Sequence, residues 1–241
     1  MNIATPISDA RPPQSHDWAQ IERSLDANGN AVLPALLTPA QCAQLTALYP
    51  QDSRFRSRIV MARHGFGRGE YKYFDYPLPS LLDGLRHALY PHLAPIANRW
   101  NRALRIDVRY PDELDGFLAR CHAAGQVRPT PLMLEYGTGD YNCLHQDLYG
   151  EHVFALQVAI LLSRPGRDFT GGEFVMTETA SGESRADVVP LRQGDAVVFA
   201  VNQRPTAAKR GRPRKVAMRH GVSPLRSGRR HTVGLIFHDS R

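Results

Sequence analysis

His145 and Asp147, within Leu144-His145-Gln146-Asp147, and His220, within Arg219-His220-Gly221-Val222, have the residue types of a two-histidine, one-carboxylate metal site. Such a set grips one face of non-haem Fe(II) and leaves the other face open for chemistry. The spacing has a physical reason. On a β-strand, side chains i and i+2 point to the same face, so a His-x-Asp pair can hold one ion. The third ligand, 73 residues beyond Asp147, must then arrive on a neighbouring strand. Arg230, ten residues after His220, adds a second chemical demand. A guanidinium turned into a barrel beside a metal needs an anion, because a buried unpaired cation is costly. A dicarboxylate cosubstrate meets that demand: one end chelates the metal, and the other receives a charge-assisted fork from Arg230. Arg229 should face the opposite side of the same strand.

The elements that must position these residues are legible in outline. From about residue 131, short apolar runs alternate with Gly-rich turns: PLMLEYGTGDY, VFALQVAILLS, GGEFVMTE, DVVPL, DAVVFAV, VAMRHGVS and HTVGLIF. That rhythm predicts a sandwich or barrel. Earlier in the chain, Asp17 should cap a helix carrying Trp18, Ile21 and Leu25, stopped at Asn28-Gly29. Thr38, Pro39 and Gln41 make a capping box for a second helix. Longer helical stretches are expected over about 79–104 and 112–124, with Pro91 and Pro95 bending or breaking the first. The expected fold is mainly β with N-terminal helices, ending in a jelly roll. We read 1–241 as a single domain, with a helical N-terminal region over 1–130 and a β core over 131–241.

Composition narrows the class. Of 241 residues 42% are hydrophobic, and no apolar run approaches the ~20 residues of a membrane helix, so no membrane association is expected. Cys42, Cys121 and Cys143 are odd in number and irregularly spaced, which suggests a reducing, cytoplasmic setting. The net charge is +7, and ten Lys or Arg fall between Arg204 and Arg230 with no acidic residue between Asp195 and Asp239. A cation block this local favours a polyanionic partner, with a solvated loop as the plainer reading. Within it, Arg210-Gly211-Arg212-Pro213 has the core of an AT-hook, although it lies between strands and not in a free tail. The segment 54–76 interleaves Arg, Lys and aromatics around Gly65, Gly67 and Gly69. As a substrate lid it would stack Tyr71, Tyr73 and Phe74 on an extruded base and set Arg63, Arg68 and Lys72 against phosphates. As a plain hairpin it would pack its aromatics on the barrel.

The motifs occur in order: Tyr136-x-x-Gly139-x-Tyr141-x-x-x-His145-x-Asp147, Gly171-Gly172-Glu173-Phe174, Gly194-Asp195-Ala196-Val197-Val198-Phe199, His220-Gly221-Val222-Ser223-Pro224, and Gly228-x-Arg230. Over residues 131–238 this series resembles the 2-oxoglutarate/Fe(II)-dependent dioxygenase superfamily. The resemblance implies a double-stranded β-helix (cupin-like), with Fe(II) on His145, Asp147 and His220 and the cosubstrate's distal carboxylate on Arg230. It also implies that Tyr136 helps to hold 2-oxoglutarate, and that O₂ is the oxidant. Oxidative decarboxylation to succinate and CO₂ would then drive hydroxylation of a nearby C–H.

More narrowly, RGEYKYFDYPLP, ANRW, RPTPLMLEYG and NCLHQDLYGEHVF resemble a prokaryotic group predicted to demethylate damaged nucleic acid by AlkB-like chemistry. That resemblance implies dealkylation in DNA repair, with nucleic acid as substrate. Two features depart from it. Leu134 stands where AlkB-type demethylases usually carry Asn, and the Gly-Gly-Glu-Phe strand and the His-to-Arg spacing look closer to prolyl-4-hydroxylase-like enzymes. Three readings therefore stand at the level of sequence: a nucleobase demethylase, a protein or small-molecule hydroxylase on the same scaffold, and an inactive barrel binding nucleic acid through its basic loop.

Overall fold

A computed structural model describes residues 13–148, 150–180, 182–206 and 213–241. The N-terminal elements are α1 (Trp18–Asn28), β1 (Asn30–Leu33), α2 (Pro39–Thr46), β2 (Phe55–Val60), β3 (Gly67–Arg68), β4 (Glu70–Phe74), α3 (Ser80–Leu104) and α4 (Leu114–Ala123). Then come β5 (Leu132–Tyr136), β6 (Tyr141–His145), β7 (Leu156–Leu161), β8 (Phe169–Gly171), β9 (Phe174–Ala180) and β10 (Glu183–Val189). The chain closes with β11 (Ala196–Ala200), β12 (Gln203–Thr206), β13 (Arg214–Val222), β14 (Leu225–Gly228) and β15 (Arg230–Leu235).

Local chemistry sets the helix ends as expected. Asp17 accepts from the Gln20 amide, Gly29 closes α1 in the left-handed conformation, and Thr38 and Gln41 form the capping box of α2. Of the two effects expected of Pro91 and Pro95, breakage does not occur: α3 runs through both. Leu82, Leu85, Leu89, Leu93 and Trp100 on this helix are buried. Each contributes about 1.5–3 kcal/mol, which together outweighs the roughly 3 kcal/mol that an interior proline costs.

The strands form two main antiparallel sheets, the double-stranded β-helix expected. The major sheet runs β1-β11-β7-β15-β5-β4-β2 and the minor one β10-β9-β13-β6-β3, with β12 added on β13. Phe174 and Phe199 meet between the sheets at 5.1 Å, and a cavity between them holds the motif residues. The division at residue 130 needs correction. β1, β2 and β4 come from the first 130 residues yet pair directly into the major sheet, β4 on β5 and β1 on β11.

Alternation along the major sheet decides what each residue can do. On β15, Arg230, Thr232 and Gly234 line the cavity, as does Ile236 just beyond its end. His231 turns the other way onto Tyr49, and Phe237 onto Tyr90 of α3. The far face of the sheet is thus sealed by helices, and the near face is left for the site.

The basic run does not form one patch among the described residues. Arg204 is buried against Glu178 at 2.6 Å, Arg230 faces the cavity, and Arg229 meets Glu135 at 3.4 Å. Arg214, Lys215, Arg219 and Arg226 are exposed. Arg210, Gly211 and Arg212 of the hook-like motif lie outside the described residues.

Candidate active site

The structure brings His145, Asp147 and His220 together. Their ligand atoms all lie within 4.8 Å of one another. His145 Nε2 stands 3.4 Å from Asp147 Oδ1, and His220 Nε2 stands 3.5 Å from Asp147 Oδ2. Ligands set at right angles on bonds of about 2.1 Å stand about 3 Å apart, so this slightly open triangle accepts one ion. Two imidazoles and a carboxylate are the donor set suited to Fe(II).

The strands reach this arrangement differently from the simple i, i+2 rule. β6 ends at His145, and Asp147 lies in the segment just after it. His220 pairs with His145 and Val222 with Asn142, so three steps on β6 oppose two on β13. This bulge turns both Asn142 and His145 into the cavity although they are an odd number apart. Gly221 sits opposite the bulge, where a Cβ would fall 2.7 Å from the Asn142 carbonyl oxygen. The bulge therefore requires glycine there.

The three groups differ in protonation preference. His145 Nδ1 donates to the Cys143 carbonyl at 2.8 Å, which leaves the Nε2 lone pair facing the triangle. Burial opposes charge on His145, but the hydrogen bond and charge of Asp147 outweigh it and raise its pKa. Asp147 is pushed upward by burial and pulled down more strongly by the two histidines, with help from the Gln157 amide, to about 2. Burial and the neighbouring His145 hold His220 neutral, down to about 3.

Arg230 is buried at 2% exposure, and its Nε has no hydrogen-bond partner. Its Nη1 donates to Thr232 Oγ1 at 2.6 Å, and its guanidinium lies over the Tyr136 and Phe169 rings at 5.7 and 5.9 Å. Burial lowers its pKa to about 10. The Tyr136 hydroxyl is also buried and has no partner in good hydrogen-bond geometry, with the Asn142 side chain its nearest polar influence besides Arg230; burial raises its pKa well above the usual range. No carboxylate lies within 4 Å of Arg230 among the described residues. An unpartnered guanidinium nitrogen beside the Tyr136 phenol is a cradle for a carboxylate, so the residues fit 2-oxoglutarate. Gly172, at φ 64°, lets the turn press close here: a Cβ would lie 3.2 Å from Arg230 Cδ and 2.4 Å from a Leu225 methyl.

The aromatic hairpin divides as strand alternation dictates. Tyr71 and Tyr73 line the cavity at right angles to each other, 5.4 Å apart, and Arg56 caps the Tyr73 ring at 4.5 Å. Lys72 and Phe74 lie on the opposite face, so neither can meet substrate. Phe74 is fully buried, and Lys72 Nζ donates to Tyr49 O and pairs with Asp52 at 2.7 Å. Arg63 and Arg68 are exposed beside the hairpin and do not line the cavity. Phe66, on the same turn, does line it.

Sequence reasoning missed Thr232 and Gln157. Thr232 had a signal, standing two residues after Arg230 and so on its face. Gln157 is the one polar residue of the buried strand LQVAIL, and that oddity was its signal.

Three comparisons bear on this geometry. Residues 69–240 match the model of a family described as an oxygenase catalysing oxidative methylation of damaged DNA. An uncharacterised protein of Mycobacterium tuberculosis is 51% identical over 168 residues, covering 69% of this chain and 72% of that protein. Among solved structures, a Pseudomonas putida prolyl-4-hydroxylase is 16% identical with a TM-score of 0.53, covering 93% of this chain and 99% of its own. A Burkholderia pseudomallei oxidoreductase of the 2OG-Fe(II) oxygenase family is 17% identical with a TM-score of 0.54, covering 94% and 93%. At that identity the two structures speak for the fold alone.

Proposed function

Because the chain belongs to the oxygenase family matched over residues 69–240, we propose that it is an Fe(II)- and 2-oxoglutarate-dependent dioxygenase that dealkylates nucleobases in damaged DNA or RNA. The observation that carries the cosubstrate is Arg230, a buried cation with a free Nε and no carboxylate of its own. The family description supports nucleic acid over protein as substrate.

In this reading His145, Asp147 and His220 hold the metal, and Arg230, Thr232 and Tyr136 hold the distal carboxylate. Bound Fe(II), with 2-oxoglutarate and O₂, supplies oxidation of an unactivated C–H and releases succinate and CO₂. Leu132, Leu134 and Ile236 keep the cavity dry, and Tyr71 and Tyr73 offer ring faces to a base. Arg63 and Arg68, exposed on the adjoining turn, meet phosphates. Hydroxylation of an N-methyl carbon gives a hydroxymethyl group that falls apart to formaldehyde and the free base. No helix is long and apolar enough to cross a membrane. The three cysteines are unpaired, which fits the cytoplasm.

The test is a panel of methylated oligonucleotides assayed for formaldehyde and succinate with Fe(II) and 2-oxoglutarate. We expect both products from the native enzyme, and neither from His145→Ala or Asp147→Ala. Turnover confined to peptides or small molecules would overturn the substrate, and product from either variant would overturn the ligand set.

A further inference from the structure

The cavity has two polar ends, and the proposed mechanism uses only one. Arg230 pairs across to Tyr136, and Thr232 to Leu134 on one side and Leu161 on the other. The next level brings Gly234 against Leu132 and Ala159. Continuing that register puts Ile236 at the level of Gln157, and both line the cavity.

The Arg230 guanidinium leans to the Thr232 level, so about four residues, or roughly 13 Å of strand, separate it from the Gln157 level. A five-carbon diacid with C–C bonds of about 1.5 Å spans about 6 Å. A cosubstrate seated on Arg230 therefore does not reach Gln157. Gln157 instead adjoins the metal ligands from the other side: it pairs with Phe199, whose ring lies 4.5 Å from that of His220.

Gln157 is 4% exposed, and its Nε2 meets no partner in good hydrogen-bond geometry. A buried amide donor left unmade costs about 1–3 kcal/mol, so the N–H not turned to Asp147 calls for an acceptor in the loaded cavity. Its neighbours at this end, Tyr73, Leu132, Ala159 and Ile236, offer apolar surface. The Asp147 carboxylate lies on the same side, close enough for the Gln157 amide to help hold its pKa down. Its charge draws one amide N–H towards it, which leaves the second N–H for the cavity.

We infer that Gln157 is a specificity-determining residue, donating to a carbonyl acceptor on the edge of the base beside its alkylated nitrogen. This rests on the nucleobase reading above. It makes the enzyme favour methylated bases flanked by carbonyl groups over those flanked by an exocyclic amine, which is a donor and cannot accept from Gln157.

The holoenzyme and its Gln157→Leu and Gln157→Met variants should be compared on oligonucleotides carrying 3-methylthymine or 1-methyladenine. Mn(II) affinity is measured in parallel. We expect native kcat/KM to favour 3-methylthymine. Both variants should lose about 10–100-fold on it, keep their rate on 1-methyladenine, and bind Mn(II) as tightly as the native protein. Equal losses on both bases, or a parallel loss of Mn(II) affinity, would make Gln157 a support for Asp147 and overturn the inference. So would native-like selectivity in both variants. Should the native enzyme demethylate neither base, the nucleobase reading fails first and takes this inference with it.

Discussion

Four Lys or Arg side chains are buried among the described residues: Lys72, Arg86, Arg204 and Arg230. Three have a carboxylate close by: Asp52 at 2.7 Å, Asp239 at 3.5 Å and Glu178 at 2.6 Å. Arg230 has only a threonine hydroxyl and two aromatic faces. The first three neutralise a charge within the fold. Arg230 leaves its charge unanswered in the cavity that holds the metal-ligand candidates. A buried cation without a counter-ion costs stability, and its place in this cavity points to a ligand that brings the missing charge.

The contrast breaks most sharply at Arg86, whose side chain and that of Asp239 are fully buried. Arg86→Met leaves the buried Asp239 carboxylate with only Tyr76 and the half-exposed His122 ring, and we expect a loss of about 2–4 kcal/mol in denaturant unfolding. Arg230→Met strands no charged partner, only the Thr232 hydroxyl, and should leave stability nearly unchanged or higher. Its cost should appear in 2-oxoglutarate affinity, weakened roughly 10²-fold, as loss of hydrogen bonds to a charged group implies. Calorimetric titration of the Mn(II) form reads this directly. Equal destabilisation by both substitutions would erase the distinction.

A smaller effect concerns His238, which is buried and accepts from the Phe154 amide at 3.2 Å. Burial lowers its pKa to about 4. Below its unfolded value of about 6.5 the unfolded chain takes up the proton first, so stability falls as pH drops from about 6.5 towards 4. We expect a contribution of roughly 1–3 kcal/mol across that window. It should be absent in His238→Gln, as read from chemical denaturation at several pH values.

The residues the sequence revealed best are those whose types are dictated by chemistry and whose spacing is local. The His-x-Asp pair, the lone His and the Arg all stand in short motifs, and the structure brings them to one cavity. The assignment of the 54–76 segment mixed two faces. Tyr71 and Tyr73 reach the cavity, whereas Lys72 and Phe74 point to the helices, because β4 is a regular strand paired on β5. Only its boundaries, invisible in a run of mixed aromatics and cations, would have told them apart. That α3 is not broken at its prolines could not be read locally, because the burial that holds it together comes from the sheet, far away in sequence. The β6 bulge had no signal beyond Gly221, whose need for close approach shows only once Asn142 lies opposite.

That bulge has a mechanical consequence. His145 and His220 are direct cross-strand partners on β6 and β13, so an ion held by both is a clasp between two strands. Parting them and releasing the ion become a single event. Tightness of metal retention and slowness of amide hydrogen exchange along β6 and β13 should therefore rise and fall together.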